Sequence, residues 1–207
     1  MEIWFWSDTH FGHFNIIRYT GRPFETLAEM DSILIRNFNE RVKEDDMCFF
    51  LGDFCFKKSG EAIDSPKNAF DYYRSQLKCK NIIFLKGNHD KNNSIKTPIQ
   101  SLVIKHGGKR IFLTHDPIFA KHDYELNFCG HVHEKWQFRR ISPKSIICNL
   151  SVEQWNYRPV DFNEINQALS TYIKNETYNS LGNIYNIRIY CTDYGYSIEL
   201  EIWPKCY

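Results

Sequence analysis

Short apolar runs divide the first half of this chain, and each run ends in a small group of polar residues. Runs of four to six β-branched or aromatic residues are typical of buried strands, and they predict strands at 2–7, 48–51 and 81–85. From about 25 to 43, apolar positions recur every three or four residues, which predicts an amphipathic helix between the first two strands. The first half therefore has the pattern of strand–helix units in an α/β fold.

The second half of the chain favours paired strands. Apolar runs at 102–104 and 111–113 flank the turn residues Gly107-Gly108 and predict a β-hairpin. Short strands are predicted at 126–129 and 145–150. Because strand–helix units come first and paired strands come second, we expect two packed sheets with helices on the outside.

Two more helices and a terminal hairpin complete the predicted elements. Ser65-Pro66 is typical of a helix start, and apolar positions recur with helical spacing from 161 to 174. Further on, β-type residues alternate with polar ones around a turn, which predicts a hairpin, and a polar segment separates it from the preceding helix. We therefore expect a core domain over 1–175 and a C-terminal β-hairpin over 183–207.

Composition and charge narrow the classes of function. The chain has 207 residues, of which 43% are hydrophobic, and this suffices for one domain with an ordinary core. Its formal net charge is +1, and the sequence shows no clear run of Lys or Arg. Electrostatics therefore gives no reason to expect nucleic acid or an acidic surface as the partner.

The seven cysteines predict reduced thiols. Their number is odd, none forms a C-x-x-C pair, and several adjoin predicted strands, so we expect buried thiols of an intracellular protein. Glu2 stands where a signal peptide would carry positive charge, and no apolar run approaches the length of about 18 residues that spans a membrane. These features predict a cytoplasmic protein with no membrane partner.

Potential metal ligands follow five of the predicted strands. They are two carboxylates, four imidazoles and one amide: Asp8, His10, Asp53, Asn88, His115, His131 and His133. This set suits Mn²⁺, Fe, Zn²⁺ or Ni²⁺ and is poor for Ca²⁺. Seven ligands are too many for one ion, but they suffice for two if one carboxylate bridges and solvent fills the other positions. Two such ions about 3.5–4 Å apart hold a bridging hydroxide and clamp phosphoryl oxygens for in-line attack.

In their order along the chain, these motifs resemble the five-block signature of the calcineurin-like metallophosphoesterases. The motifs are Asp8-x-His10, Gly52-Asp53, Gly87-Asn88-His89-Asp90, His115 and Gly130-His131-x-His133. More narrowly, Ser7-Asp8-Thr9-His10-Phe11-Gly12-His13 and Trp155-Asn156-Tyr157-Arg158-Pro159-Val160 look like the small single-domain bacterial and phage branch of that family. The resemblance covers residues 1 to about 160. It implies a four-layer α/β/β/α sandwich of two mixed sheets, here followed by the C-terminal β-hairpin.

The resemblance also implies how the ligands are shared between two ions. One ion is assigned Asp8, His10 and His133, the other is assigned Asn88, His115 and His131, and Asp53 is assigned to both as the bridge. This division agrees with the chemistry of the side chains, since a carboxylate can bridge two ions whereas an amide normally offers one oxygen.

Other residues near the motifs are candidates for roles beside the metals. By the same resemblance, His89 contacts the phosphate and stabilises the transition state or protonates the leaving oxygen, and Asp90 orients His89 through its other ring nitrogen. His13 either faces the phosphate or the leaving group, or it caps the turn, and the sequence leaves both open. Arg18 and Arg22 are candidate phosphate ligands.

The expected function is that of a dinuclear metal-dependent phosphoesterase. Because no cap domain is evident, we expect a phosphodiesterase that acts on a nucleotide-like or cyclic phosphate by attack of a metal-bridging hydroxide. Two divalent ions are the expected cofactors, with Mn²⁺ favoured over Fe, Ni²⁺ and Zn²⁺. The open alternatives are a metal-dependent nuclease, a phosphomonoesterase and a non-catalytic binding protein on the same scaffold. A homodimer formed through the terminal hairpin also stays open.

Overall fold

The structure, a computed structural model, describes residues 1–56, 68–90, 95, 97–182, 185–192 and 195–202. The chain divides into two compact units, Met1–Ile165 and Asn166–Tyr207. The predicted division between a core and a hairpin near 175–183 stays a prediction.

Eleven strands and four helices make up the regular structure of the described residues. The strands are β1 (Ile3–Trp6), β2 (Met47–Phe50), β3 (Asn81–Phe84), β4 (Ser101–His106), β5 (Lys109–Thr114), β6 (Leu126–Cys129), β7 (Phe138–Ser142), β8 (Ser145–Asn149), β9 (Val160–Asp161), β10 (Tyr185–Thr192) and β11 (Gly195–Ile202). The helices are α1 (Phe14–Tyr19), α2 (Leu27–Arg41), α3 (Ala69–Arg74) and α4 (Phe162–Gly182), and two short 3-10 helices cover Pro117–Phe119 and Val152–Trp155.

Two mixed sheets form the unit Met1–Ile165, as the sequence predicts. The first has the strand order β3-β2-β1-β9, with the first three strands parallel and β9 antiparallel to β1. The second has the order β4-β5-β6-β8-β7, with β5, β6 and β8 parallel and the two outer strands antiparallel to their neighbours. Each sheet therefore has a parallel centre, and the carboxyl ends of parallel strands lie at one edge of a sheet.

Strand β1 is buried on both faces because consecutive side chains of a strand point to opposite sides. Trp4 and Trp6 belong to the apolar core that α2 covers. Phe5, between them, points the other way and makes an edge-to-face contact with Phe128 of β6 in the second sheet, with ring centroids 4.9 Å apart. The residues that follow β1 are therefore held in the middle of the fold.

The structure adds three elements to those predicted, and one predicted helix start lies outside the residues that it describes. Helix α3 begins after Asn68, whose side chain accepts a hydrogen bond from the backbone N–H of Asp71, whereas the predicted start at Ser65-Pro66 lies outside the described residues. Helix α1 and strands β7 and β9 had no counterpart in the prediction. Strand β9 has two residues and α1 six, too few for a periodic pattern, and β7 carries two exposed arginines where a strand pattern would show apolar residues.

The C-terminal strands β10 and β11 pair antiparallel, with Tyr185 opposite Ile202 and Thr192 opposite Gly195. This pairing is that of the predicted hairpin, although the turn residues 193–194 lie outside the described residues. Within the described part of the chain, every helix is too short or too polar to cross a membrane.

Candidate metal centre

The five sequence motifs meet at the carboxyl ends of strands from both sheets. Asp53 follows β2 and comes within 3.6 Å of His10, which follows β1, measured from carboxylate Oδ2 to imidazole Nε2. The same carboxylate oxygen lies 3.4 Å from Nε2 of His115, which follows β5 in the other sheet. Nε2 of His133 lies 3.9 Å from Oδ1 of Asp8. The tertiary fold thus gathers ligands that are far apart in sequence.

Five of the seven predicted ligands have a left-handed backbone. The residues with positive φ include Asp8 (57°), His10 (50°), Asp53 (57°), His131 (71°) and His133 (47°). This region is uncommon for residues other than glycine, and such strain is concentrated at functional sites because the surrounding structure must enforce it. The loops after the strands therefore hold these side chains in conformations that local propensity alone would not select.

Glycines in three motifs allow the ligands to approach the backbone closely. A Cβ at Gly130 would lie 2.2 Å from Oδ2 of Asp8, and one at Gly87 would lie 2.1 Å from Oδ1 of Asp53. A Cβ at Gly52, where φ is +100°, would lie 2.6 Å from Nδ1 of His115. A neighbouring ligand residue thus leaves no room for a Cβ at any of these glycines, and at Gly52 the backbone conformation also favours glycine.

The predicted ligands form two groups on either side of Asp53. We call Asp8, His10 and His133 the inner group, and Asn88, His115 and His131 the outer group. The ligand atoms of the inner group lie within 4.8 Å of one another, and an oxygen of Asp8 also lies within that distance of Asp53 and His115. Asp8 is therefore close to both groups, which the sequence did not predict.

A buried nitrogen of the inner group lacks a hydrogen-bond partner. His10 is 3% exposed, and its Nε2 accepts or donates no hydrogen bond to any residue that the structure describes. It points toward the carboxylates of Asp53 and Asp8, at 3.6 and 4.0 Å. Burial lowers the pKa of His10 well below its ordinary value despite the Asp53 carboxylate, so the neutral imidazole, which can ligate a metal, is favoured. A cation fits this position, since it would satisfy both the lone pair and the carboxylates.

The outer group brings three potential ligand atoms together. Oδ1 of Asn88 lies 2.8 Å from Nε2 of His115 and 2.9 Å from Nδ1 of His131. Adjacent ligands of an octahedral ion with bonds of about 2.1 Å lie about 3 Å apart. The outer group thus has the spacing that an octahedral ion requires.

The tautomer of His115 also favours a cation in the outer group. Its Nδ1 donates a hydrogen bond of 2.7 Å to the backbone carbonyl of Leu51. In a neutral ring the proton is therefore on Nδ1, and the lone pair of Nε2 faces oxygens of Asn88 and Asp53. Burial disfavours a charged ring, but the carboxylates of Asp53 and Asp8 outweigh it and raise the pKa of His115 to about 9. The position therefore calls for positive charge, from a proton or from a metal ion.

Asp53 lies between the two groups with its carboxylate ionised. Burial opposes ionisation, yet the imidazoles of His115 and His10 hold the pKa of Asp53 well below its usual range. Its Oδ1 accepts a hydrogen bond of 2.9 Å from the backbone N–H of His89, while Oδ2 faces the two imidazoles. This arrangement suits a bridging carboxylate, and the bridge itself stays a prediction.

A buried ion pair that the sequence did not predict supports the inner group. Oε1 of Glu153 accepts hydrogen bonds from the Arg22 guanidinium at 2.7 and 3.0 Å and lies 2.9 Å from Nδ1 of His133. Arg22 also donates to the backbone carbonyls of Asp8 and Thr9. Arg22 is therefore committed to the scaffold behind the ligands, and in this position it holds His133 through Glu153 and does not reach toward a phosphate.

Asp90 ties two ligand loops together. Its buried carboxylate accepts backbone hydrogen bonds from Gly87 at 2.7 Å, Asp53 at 3.0 Å and Phe54 at 3.3 Å. Burial and the nearby Asp53 carboxylate raise the pKa of Asp90 to about 6. These contacts give Asp90 a structural role in the loops of Asp53 and Asn88, and the predicted orientation of His89 by Asp90 stays a prediction.

His89 and His13 lie beside the inner group. The ring centroids of both histidines are 5.6 Å from that of His10, and His89 is exposed at the edge of the site. His13 precedes α1 and stacks on Phe56 with centroids 4.3 Å apart, although its side chain makes no capping hydrogen bond to the helix. Both rings are thus near enough to the ligands for the predicted roles, which stay predictions.

A cavity of about 370 Å³ opens beside the outer group. Asn88 and His115 form its border with the metal ligands, and Lys86, Phe119 and Lys121 are among the residues that line it elsewhere. We call it the side cavity. The sequence motifs indicated only the part of the wall that contains Asn88 and His115, because the rest comes from strands β4 and β5 and from loop residues that belong to no motif.

Comparisons with known proteins identify a relative that matches most of the chain. No family model matches it. The uncharacterized protein MJ1445 of Methanocaldococcus jannaschii is 36% identical over 173 residues, which cover 79% of this chain and 89% of that protein. Both proteins therefore extend over nearly the same region.

Solved structures give a relative with the same fold. A protein of unknown function from Aquifex aeolicus is 26% identical and superposes with a TM-score of 0.59, over 81% of this chain and 98% of its own. YfcE, a phosphoesterase from E. coli, is more distant, with 17% identity and a TM-score of 0.39 over 78% of this chain and 82% of its own.

Proposed function

We propose that this chain, which belongs to the same family as MJ1445 of Methanocaldococcus jannaschii, is a dinuclear metal-dependent phosphodiesterase. Its five ligand motifs are those of the calcineurin-like metallophosphoesterases. One observation carries the proposal. The carboxylate of Asp53 lies 3.6 Å from Nε2 of His10 and 3.4 Å from Nε2 of His115, so a single ionised side chain faces two separate groups of nitrogen and oxygen ligands.

The residues present fit two divalent ions. The inner group offers an unpartnered buried imidazole nitrogen, and the outer group offers three ligand atoms at the spacing of an octahedral edge. Two bound divalent ions supply positive charge that attracts phosphoryl oxygens and lowers the pKa of a coordinated water. Mn²⁺ is our preferred ion because the ligands mix nitrogen with hard oxygen donors, a set that Fe, Ni²⁺ and Zn²⁺ also accept.

His89 is the residue of this chain that we assign to proton transfer. Its backbone N–H donates a hydrogen bond to the Asp53 carboxylate, which fixes the position of its Cα beside the ligands. Its ring is exposed to incoming substrate. From this position the imidazole contacts a phosphate oxygen and protonates the leaving oxygen. His13, half-buried against Phe56, approaches the same region from the opposite loop.

The exposure of the outer group favours a diester substrate. Asn88 and His89 are exposed, and the His131 side chain is 36% exposed, so a phosphate with substituents on two oxygens can reach the ligands. We propose a nucleotide-like or cyclic phosphodiester as the substrate class. A phosphomonoesterase and a binding protein that uses the same ligands are the outcomes against which this proposal is tested, and a nuclease stays an alternative within the diesterases.

The test compares an aryl phosphodiester with the matching monoester. We expect the diester to be hydrolysed faster, with Mn²⁺ present, and the rate to fall to the background after treatment with a chelator. Asp53→Asn should remove activity by weakening both groups at once, whereas Asp123→Asn, an exposed aspartate outside the predicted ligand set, should not.

The possible results separate the alternatives. Preference for the monoester identifies a phosphomonoesterase. Binding of two ions without hydrolysis of either ester contradicts the proposal and supports a binding protein. Retention of both ions by Asp53→Asn contradicts the bridging role of this carboxylate.

A further inference from the structure

The side cavity extends the metal centre toward residues that the proposed chemistry does not use. Its volume of about 370 Å³ falls within the range of small-molecule sites, about 300–1,000 Å³. Asn88 and His115 form one wall, so a ligand in the cavity would lie beside the outer group. A group attached to a phosphate at the outer group and extending into the cavity would contact the remaining walls.

An exposed aromatic ring stands at the rim of this cavity. Phe119 is 63% exposed although it belongs to the 3-10 helix Pro117–Phe119. Asp116 caps this helix by accepting a hydrogen bond of 2.9 Å from the N–H of Ile118, which fixes the turn that presents the ring. An aromatic face held in this way at a cavity mouth is suited to stacking on another planar ring, such as a nucleobase.

Two lysines give the same cavity positive charge. The backbone of Lys86 is anchored because its N–H donates a hydrogen bond of 2.8 Å to the backbone carbonyl of Ile99. The side chain of the buried Asn127 binds the backbone of Lys121 twice. Its Oδ1 accepts a hydrogen bond of 2.8 Å from the Lys121 N–H, and its Nδ2 donates one of 3.1 Å to the Lys121 carbonyl. Neither lysine forms an ion pair with any residue in the described part of the chain, so both ammonium groups are available to an anion.

We propose that the side cavity is a subsite for a nucleotide moiety with a second phosphate, in which the base stacks on Phe119 and the second phosphate binds Lys86 and Lys121. This inference rests on the proposed function, because it assumes that the scissile phosphate binds at the two ligand groups. It narrows the substrate class from phosphodiesters in general to nucleotide diesters that carry a further phosphate group.

The experiment uses three diesters with the same leaving group and the full-length protein loaded with Mn²⁺. They are methyl 4-nitrophenyl phosphate, thymidine 5′-(4-nitrophenyl phosphate) and the same nucleotide with an additional 3′-phosphate. In each reaction water adds to phosphorus, the bond from phosphorus to the aryl oxygen breaks, and 4-nitrophenolate leaves. We expect kcat/KM to rise from the first substrate to the second and again to the third, by about tenfold at each step.

Variants assign the two steps to separate residues. Phe119→Ala should remove most of the ratio in kcat/KM between the second and first substrates. Lys86→Ala and Lys121→Ala should each lower the ratio between the third and second substrates several-fold. The matched controls are Ile118→Ala, an exposed apolar residue of the same 3-10 helix, and Lys144→Ala, an exposed lysine of the β7–β8 turn. Both controls should keep the wild-type ratios.

A binding measurement distinguishes failure of this inference from failure of the proposed function. Thymidine 3′,5′-bisphosphate should bind the Mn²⁺-loaded protein more tightly than thymidine 5′-phosphate, and Lys86→Ala and Lys121→Ala should reduce this difference. Equal kcat/KM for all three diesters, or ratios that the variants leave unchanged, would overturn the subsite while leaving a phosphodiesterase. Absence of hydrolysis of every diester, with the bisphosphate still bound through the lysines, would overturn the proposed function and retain the subsite.

Discussion

The inner and outer groups of ligands differ in how the protein holds them. In the inner group the Asp8 side chain is fully buried, and it accepts hydrogen bonds from Ser151 and from the backbone N–H of His131. His133 is fixed by Glu153. In the outer group His115 is buried, but Asn88 is exposed, and His131 is partly exposed next to a half-buried aspartate.

This difference suggests that the two groups contribute differently to metal binding and to turnover within one site. The inner group is built into the interior, where strain, burial and a buried ion pair fix its geometry before any ligand binds. Asn88 and His115 of the outer group line the side cavity, in which we propose that substrate binds. We expect changes behind the inner group to alter metal affinity, and changes beside the outer group to alter turnover and substrate choice.

Among the variants that affect one group and not both, the largest effect should come from His89→Ala. This residue follows the outer ligand Asn88 and is exposed, so its loss should lower kcat by about 10²–10⁴ while both ions stay bound. The measurement is kcat together with metal content, and the matched control is His122→Ala, an exposed histidine outside the site. Loss of a metal ion in His89→Ala would show that His89 is a ligand and would contradict the assignment of ligands to the two groups.

The inner group should be most sensitive to Glu153→Gln. The change removes the carboxylate that orients His133 and leaves the buried Arg22 without its ion-pair partner. Affinity for one ion should fall by about 10–100-fold, and stability should fall by about 3 kcal/mol. Metal titration and urea unfolding measure the two effects.

Two other variants complete this comparison. Glu134→Gln, which changes an exposed neighbour of His133, should have little effect on either quantity. Asp116→Asn, 3.9 Å from the outer ligand His131, should affect metal affinity less than Glu153→Gln. If Asp116→Asn has the greater effect on metal affinity, the outer group is the one that depends more on its support.

A smaller effect tests whether the buried member of the outer group is fixed by packing. In Gly52→Ala the new Cβ meets His115 and Gly87, whereas in Gly21→Ala, also at positive φ, it meets open space. Gly21 at φ +62° lies in the left-handed region that alanine can adopt, whereas Gly52 at φ +100° lies beyond it, so the difference in the free energy of unfolding combines backbone strain with the steric contact. We expect Gly52→Ala to be less stable than Gly21→Ala by about 1–3 kcal/mol. Equal stabilities would show that His115 can move aside.

Local pattern predicted most of the fold. The strands that carry the motifs were recognisable because they are short apolar runs that end in polar residues, and α2 was recognisable from its helical periodicity. Elements without such a pattern escaped prediction. Strand β9 consists of only Val160 and Asp161, and its place beside β1 depends on pairing with a strand more than 150 residues earlier.

The sequence by itself determined which residues can ligate metals and that they lie at strand ends, because ligand chemistry and strand composition are both local properties. The tertiary structure alone decided that Asp8 approaches both groups, that Glu153 and Arg22 support His133, and that two lysines and Phe119 share one cavity. Arg22 and Glu153 are 131 positions apart. No periodic pattern links such residues, since their contact arises only when both sheets have packed and their strand ends have met.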